Sequence, residues 1–151
     1  MMNRLNLEIF QIVTNFLKPI EIWNKNILIA GFGRIGQCLI KRCKGFEMNV
    51  FVYDPFVSKE VVESLGGIKV ENLEDSIKNM DAVSLHVPLN DKTKNLINYN
   101  LLRTMKKNCI IINAARGGVI NEIDLDRALN ENLIFGAVSY THLTLPTKLA
   151  V

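Results

Sequence analysis

Cysteine is scarce in this chain and follows no pattern: Cys38, Cys43 and Cys109 are the three among 151 residues, and they form no CxxC or other metal-ligand spacing. An odd count without a pairing pattern argues against a disulfide scaffold or a thiolate metal site. It fits buried thiols in a reducing cytoplasm. Long apolar runs are missing too, and none approaches the ~20 residues a membrane-spanning helix needs. Residues 1–17 carry Glu8, Gln11 and Asn15 inside their most apolar stretch and lack a small-x-small cleavage site, so a secretory leader is not expected. Excess charge of one sign is absent as well. The formal charge is +3, and cations stand singly or in pairs such as Lys41-Arg42 and Lys106-Lys107 with acids between them. Such a solvated surface offers nucleic acid no continuous basic patch. No repeat, low-complexity tract or linker interrupts the chain, so a single domain with a real core is expected.

What is present is an alternation of short apolar runs with amphipathic segments. Leu5, Ile9, Ile12, Val13 and Phe16 recur at helical spacing until Pro19. Strands are then expected at 27–30, 50–53, 68–70, 82–87, 109–113 and 134–138. Helices are expected at 35–43, 59–65, 73–80, 99–105 and 123–130. The strands are continuous apolar runs rather than alternating ones, which is what burial on both faces requires. Strand–helix alternation implies right-handed crossovers, and so a doubly wound α/β domain with a parallel sheet.

The most informative local feature is Gly31-Phe32-Gly33-Arg34-Ile35-Gly36, directly after the first strand and opening a helix. In a dinucleotide site Gly31 permits the tight turn, Gly33 lets backbone approach a pyrophosphate, and Gly36 lets helix and strand pack closely. The helix-start amides near Arg34 and Ile35 would face the phosphates, helped by the helix dipole. Asp54 ends the second strand, 18 residues after Gly36. A carboxylate there can accept both ribose hydroxyls and would repel a 2′-phosphate, which favours NAD over NADP. A glycine-rich turn in another α/β fold, such as a methyltransferase, would share the first motif.

Two further segments narrow the field. Ser84-Leu85-His86-Val87-Pro88-Leu89, followed by Thr93, Leu96 and Ile97, resembles the "LHxPL…T…LI" segment of the D-isomer-specific 2-hydroxyacid dehydrogenases. Residues 113–122, NAARGGVINE, with Leu125, Ala128 and Leu129, resemble that family's "NxxRGxxVxExxLxxAL" signature. The resemblance covers residues 24–137, leans toward phosphoglycerate dehydrogenase-like members, and implies a Rossmann NAD-binding domain. It implies that Val87 and Pro88 line the nicotinamide side of the cofactor pocket, continued by Ala114 and Ala115. Arg116 would hold the carboxylate and neighbouring oxygen of a 2-hydroxy or 2-keto acid bidentately. It would also stabilise negative charge on that oxygen as hydride moves. His86 is expected to be structural, since the family places its catalytic histidine later. No metal is implied, the substrate is a small molecule, and a homodimer is implied for a full-length parent.

The end of the chain departs from the family. Where the family continues "xxDVFxxEP", its Asp falls on Tyr140 and its catalytic Glu on Leu145. The "PHxxG" segment with the general acid/base histidine is not reached, and His142 stands in unrelated context. Residues 138–147, VSYTHLTLPT, can be encoded by GTC TCT TAT ACA CAT CTG ACG CTG CCG ACG, which is similar to the end of a transposase adapter used in sequencing libraries. Residues 139–151 also contain no Asn, Ile, Asp or Glu. The expectation is therefore a truncated chain: residues 1–23 a helical lead-in, 24–137 the NAD-binding domain, 138–151 a non-native tail. Before residue 24 there is also no substrate domain of the kind the family carries. Such a fragment is expected to bind NAD without useful turnover. A non-catalytic, NAD-sensing corepressor-like protein would share the same motifs. Whether the Glu and His follow in the parent separates the two readings.

Overall fold

In a computed structural model, residues 21–139 are described. The expected helix over residues 5–16 and the segment from Tyr140 onward, with His142 and Leu145, lie outside them. Six strands form one all-parallel sheet: β1 (Asn26–Ala30), β2 (Asn49–Tyr53), β3 (Ile68–Val70), β4 (Ala82–Leu85), β5 (Ile110–Asn113) and β6 (Gly136–Ser139). Between them run α1 (Arg34–Gly45), α2 (Lys59–Ser64), α3 (Leu73–Ile77), α4 (Tyr99–Leu102) and α5 (Glu122–Asn130). The spatial order is β3-β2-β1-β4-β5-β6, so the direction of winding reverses between β1 and β4. In open α/β sheets ligands bind past the carboxyl ends of the strands at such a switch point.

Alternation of side chains along the strands creates two cores. Ile27, Ile29, Val50 and Val52 meet Ile40 and Cys43 of α1 and Val62 of α2 on one face. Leu28, Ala30, Val83, Leu85 and Ile111 meet Leu73, Ile77, Leu101, Leu102, Leu125 and Ala128 on the other. Full burial of each large aliphatic side chain contributes about 1.5–3 kcal/mol before the entropy of ordering is counted. Gly36, Ile40 and Cys43 are the buried residues of α1, spaced so that one stripe meets the sheet. At the amino edge, Asp81 accepts from the Asn26 N–H and from Lys106 Nζ, both at 2.9 Å. This ties the starts of β1, β4 and β5 together. Burial would raise the Asp81 carboxyl, but the Asn26 amide and the Lys106 ammonium outweigh it and hold the group below its ordinary value.

Several element ends differ from the sequence expectation. The helix expected to reach Met80 stops at Ile77, because Asn79 and Met80 donate to carbonyls three residues back and tighten into a turn. That expected to reach Met105 stops at Leu102 for the same reason, with Thr104 and Met105 bonded to Leu101 and Leu102. β4 ends at Leu85 rather than Val87: His86 N–H still donates to the Ala30 carbonyl at 2.7 Å, and then the chain turns away into Pro88. β6 begins at Gly136, with Ile134 buried in the turn that leaves α5. It runs on through Val138 and Ser139, opposite Ile112 and Asn113, two residues past the expected domain end at Ala137. Ladder hydrogen bonds are made by backbone, so pairing there does not depend on side-chain identity. Cys43 and Cys109 are buried as expected, but Cys38 is exposed, since it lies off the buried stripe of α1. Among the described residues no helix is long and apolar enough to cross a membrane.

Candidate functional site

The candidate residues gather past the carboxyl ends of four adjacent strands. Gly31 follows β1, Asp54 follows β2, Val87 and Pro88 follow β4, and Ala114–Arg116 follow β5. Gly31 has φ +93°, and a Cβ there would lie 2.7 Å from the carbonyl carbon and oxygen of His86. Its amide donates to the Tyr53 carbonyl at 2.9 Å. The turn is thus wedged between the ends of β2 and β4, and no side chain fits. Gly36 is tied down for a different reason: a Cβ would come within 2.5 Å of the Gly31 carbonyl oxygen.

Gly33 obeys neither constraint. It is exposed, it caps α1 with φ −72° and ψ −167°, and a Cβ built on it meets nothing within 4 Å. Any residue can adopt that backbone, and Ser, Thr, Asp or Asn would cap the helix with a side-chain bond that glycine cannot make. The chain's own packing therefore does not call for glycine at this position, whereas a ligand pressed against the backbone does. No side chain caps α1, so its first-turn amides are available, carrying the positive end of the helix dipole. Arg34 and Ile35 both project into solvent at this end, with Ile35 62% exposed. The cradle fits a diphosphate.

Asp54 does two things at once. Its Oδ2 accepts the Phe32 N–H at 2.8 Å and its Oδ1 accepts the Phe56 N–H at 2.9 Å. The carboxylate thereby pins the glycine loop to the end of β2, and each oxygen keeps a lone pair for a further donor. His86 faces a different environment. Its Nε2 lies 2.8 Å from Ser84 Oγ, and its Nδ1 is buried without a partner among the described residues. Burial lowers its pKa below the ordinary imidazole value. A neutral ring braced on Ser84 beside the glycine turn suits packing.

The third group is the turn after β5. Arg116 is exposed, and its Nη1 donates to the Ala115 carbonyl at 2.9 Å. Ala114 is exposed and Ala115 half-buried. This turn is stitched to the loop after β4. Asn95 N–H donates to the Gly118 carbonyl at 2.8 Å, Ile97 N–H to the Val119 carbonyl, and Asn121 N–H to the Ile97 carbonyl. Gly118 has φ +82°, and Leu89 lies over it, 3.5 Å from where a Cβ would stand. The loop itself is knotted by Asn90 and Thr93, with the Thr93 hydroxyl donating to the Pro88 carbonyl. Thus the glycine loop and Asp54 share direct bonds, Val87 abuts Gly31, and Arg116 belongs to a second unit built from the β4 and β5 loops.

The residues expected from sequence lie together past these strand ends, and the sequence reading missed Asn90 and Asn113 as loop-shaping residues. Their only signal is their type, since Asn side chains bond backbone two residues on and favour turns. Among the described residues no cluster of three or more His, Cys, Asp or Glu gathers as for a metal. A hollow lined by Asn26, Asn79 and Lys106 among others contains none of the candidate residues, whereas a second, beside the start of α1, is lined by Arg34, Gln37, Cys38, Lys41 and Leu65. The first opens at the amino edge of the sheet, away from the strand ends where the candidate residues gather.

Comparison with known proteins places these features in a common frame. The model of the D-isomer specific 2-hydroxyacid dehydrogenase, NAD binding domain, matches residues 9–144. The D-3-phosphoglycerate dehydrogenase of Methanocaldococcus jannaschii is 46% identical over 120 residues, covering 80% of this chain and 23% of that protein. The glyoxylate reductase of Thermococcus kodakarensis is 41% identical over 117 residues, covering 78% of this chain and 35% of that one. Among solved structures, D-lactate dehydrogenase with NAD+ from Lactobacillus jensenii matches with a TM-score of 0.76 at 32% identity, over 83% of this chain and 37% of that chain. The chain thus spans between about a quarter and a third of the length of the curated relatives it matches.

Proposed function

Since the chain belongs to the NAD-binding domain family of the D-isomer specific 2-hydroxyacid dehydrogenases, we propose that it holds NAD for an enzyme interconverting a D-2-hydroxy acid and its 2-keto acid. The observation that carries this reading is Gly33, bare where its own fold leaves 4 Å of open space. In this reading Gly31, Gly33 and Gly36 form the diphosphate cradle, with the amides of Arg34 and Ile35 facing the charge. Asp54 accepts the ribose hydroxyls. Val87, Pro88, Ala114 and Ala115 flank the nicotinamide, which when bound gives or takes the hydride.

Arg116 is the proposed catalytic residue. Its guanidinium leaves the Ala115 carbonyl and takes the substrate carboxylate and adjacent oxygen, a planar pair that a planar fork fits. The fixed positive charge also stabilises the oxygen as it gains negative charge. Turnover is proposed for a protein of the relatives' full length, to which this chain contributes the cofactor site and Arg116. A homodimer of that protein and a reducing, cytoplasmic setting complete the proposal, and the free thiols of Cys38, Cys43 and Cys109 agree with the setting.

Calorimetric titration with NAD and NADP tests the cofactor assignment. The chain should prefer NAD, and Asp54→Asn should narrow the gap by on the order of 1.5–3 kcal/mol, the scale of hydrogen bonds to a charged group. A preference for NADP would remove the assignment. NADH oxidation by the full-length protein with phosphohydroxypyruvate, glyoxylate and other 2-keto acids tests the reaction. A full-length protein that binds NAD but turns over none of them would favour the corepressor-like reading.

A further inference from the structure

We infer that Asn113 is a positioning residue that sets the nicotinamide-side turn, an inference that rests on the NAD reading above. Asn113 ends β5 and is 2% exposed. Its Oδ1 accepts the Ala115 N–H at 3.1 Å, and its Nδ2 donates to the Arg116 carbonyl at 3.0 Å. The amide meets a donor with its oxygen and an acceptor with its nitrogen, and both belong to one turn. Aspartate offers the acceptor but no donor, and alanine offers neither.

These two bonds hold no element of the fold. β5 is paired along its length with β4 on one side and β6 on the other. α5 is capped separately by Asn121, whose side chain accepts the Asp124 N–H. What Asn113 does hold is the path of Ala114, Ala115 and Arg116, the segment proposed to face the nicotinamide and the substrate. Ala114 and Arg116 are exposed, and of the three only the Ala115 methyl packs against the core, so side-chain packing alone does not set that path. Arg116 already spends one guanidinium donor on the Ala115 carbonyl, whose orientation the Asn113 bonds on either side of it dictate.

The diphosphate cradle and Asp54 stand on β1 and β2 and share no hydrogen bond with Asn113. Loss of the Asn113 bonds should therefore weaken the nicotinamide end selectively. The test measures NAD+ and ADP-ribose, which lacks the nicotinamide, on the wild-type chain, Asn113→Ala and Asn113→Asp, with unfolding midpoints alongside. Asn113→Ala should bind NAD+ roughly tenfold more weakly, the scale of a buried hydrogen bond left unmade, with ADP-ribose affinity unchanged. Asn113→Asp keeps the shape and the Ala115 bond, so its NAD+ loss should be smaller. It carries the test if the alanine variant fails to fold. Folded variants that lose both ligands equally, or neither, overturn the inference. A wild-type chain that binds neither ligand overturns the cofactor reading itself, and this inference with it.

Discussion

Gly36→Ala should destabilise the chain although it puts a better helix former into α1. The added methyl would stand 2.5 Å from the Gly31 carbonyl oxygen and 3.3 Å from Ile29 Cγ2. An ordinary carbon–oxygen contact is about 3.3 Å or more, so helix and turn must separate by roughly 0.8 Å. Ile29 can give a little, but Gly31 cannot. Its amide is bonded to Tyr53, and the carbonyl of His86 closes its other side. Overpacking of this kind costs about 1–3 kcal/mol, and alanine recovers up to ~1 kcal/mol of helix propensity. The net loss of up to about 2 kcal/mol lowers the melting temperature by up to roughly 8 °C for a chain of this size. Gly45→Ala is the matched control, because it lies in the same helix and its Cβ would meet nothing within 4 Å. It should be neutral or stabilising by up to ~1 kcal/mol. Urea unfolding followed by circular dichroism reads both. If Gly36→Ala unfolds at or above the wild-type midpoint, the close approach of α1 to the Gly31 turn does not constrain the fold.

Two further outcomes follow from buried titratable groups. Burial, with a contribution from the Asp81 carboxylate, pushes the Cys109 thiol up to about 12, and burial also raises Cys43. Iodoacetamide at neutral pH should therefore label Cys38 in the folded chain and the other two only after unfolding, read by peptide mass spectrometry. Labelling of Cys109 as fast as Cys38 would contradict its burial. Because His86 is held below its ordinary pKa of about 6.5, the unfolded chain takes a proton that the folded chain refuses. Stability should thus fall as the pH drops below ~6.5, until the folded value is passed. His86→Gln should lose that part of the acid sensitivity, and an identical pH profile would place the ring in solvent.

The order of strands and helices was legible because parallel strands buried on both faces read as unbroken apolar runs, and Ile27–Ala30 and Val50–Tyr53 do so. Element ends were less so. Whether a helix closes with i−4 or i−3 bonds, as after Ile77 and Leu102, depends on how the next strand is entered. The glycine loop and Asp54 were legible because their spacing encodes a turn and a strand end. The roles of Asn113, of the Asn90–Thr93 knot and of Asp54 as a loop pin were not. Each depends on where backbone amides point after the turn has formed, which no periodicity records.

The central claim is that Gly33 is glycine for a ligand and not for the fold. Gly33→Val, titrated with NAD by calorimetry beside a measurement of its unfolding midpoint, tests it most directly. The open space around the Cβ predicts a midpoint within ~1 kcal/mol of wild type, the scale of a helix-cap change. It predicts that binding of NAD is lost, since a branched side chain fills the space the diphosphate needs. A folded Gly33→Val chain that binds NAD as the wild type does would contradict the claim, and would place the phosphates elsewhere in the molecule.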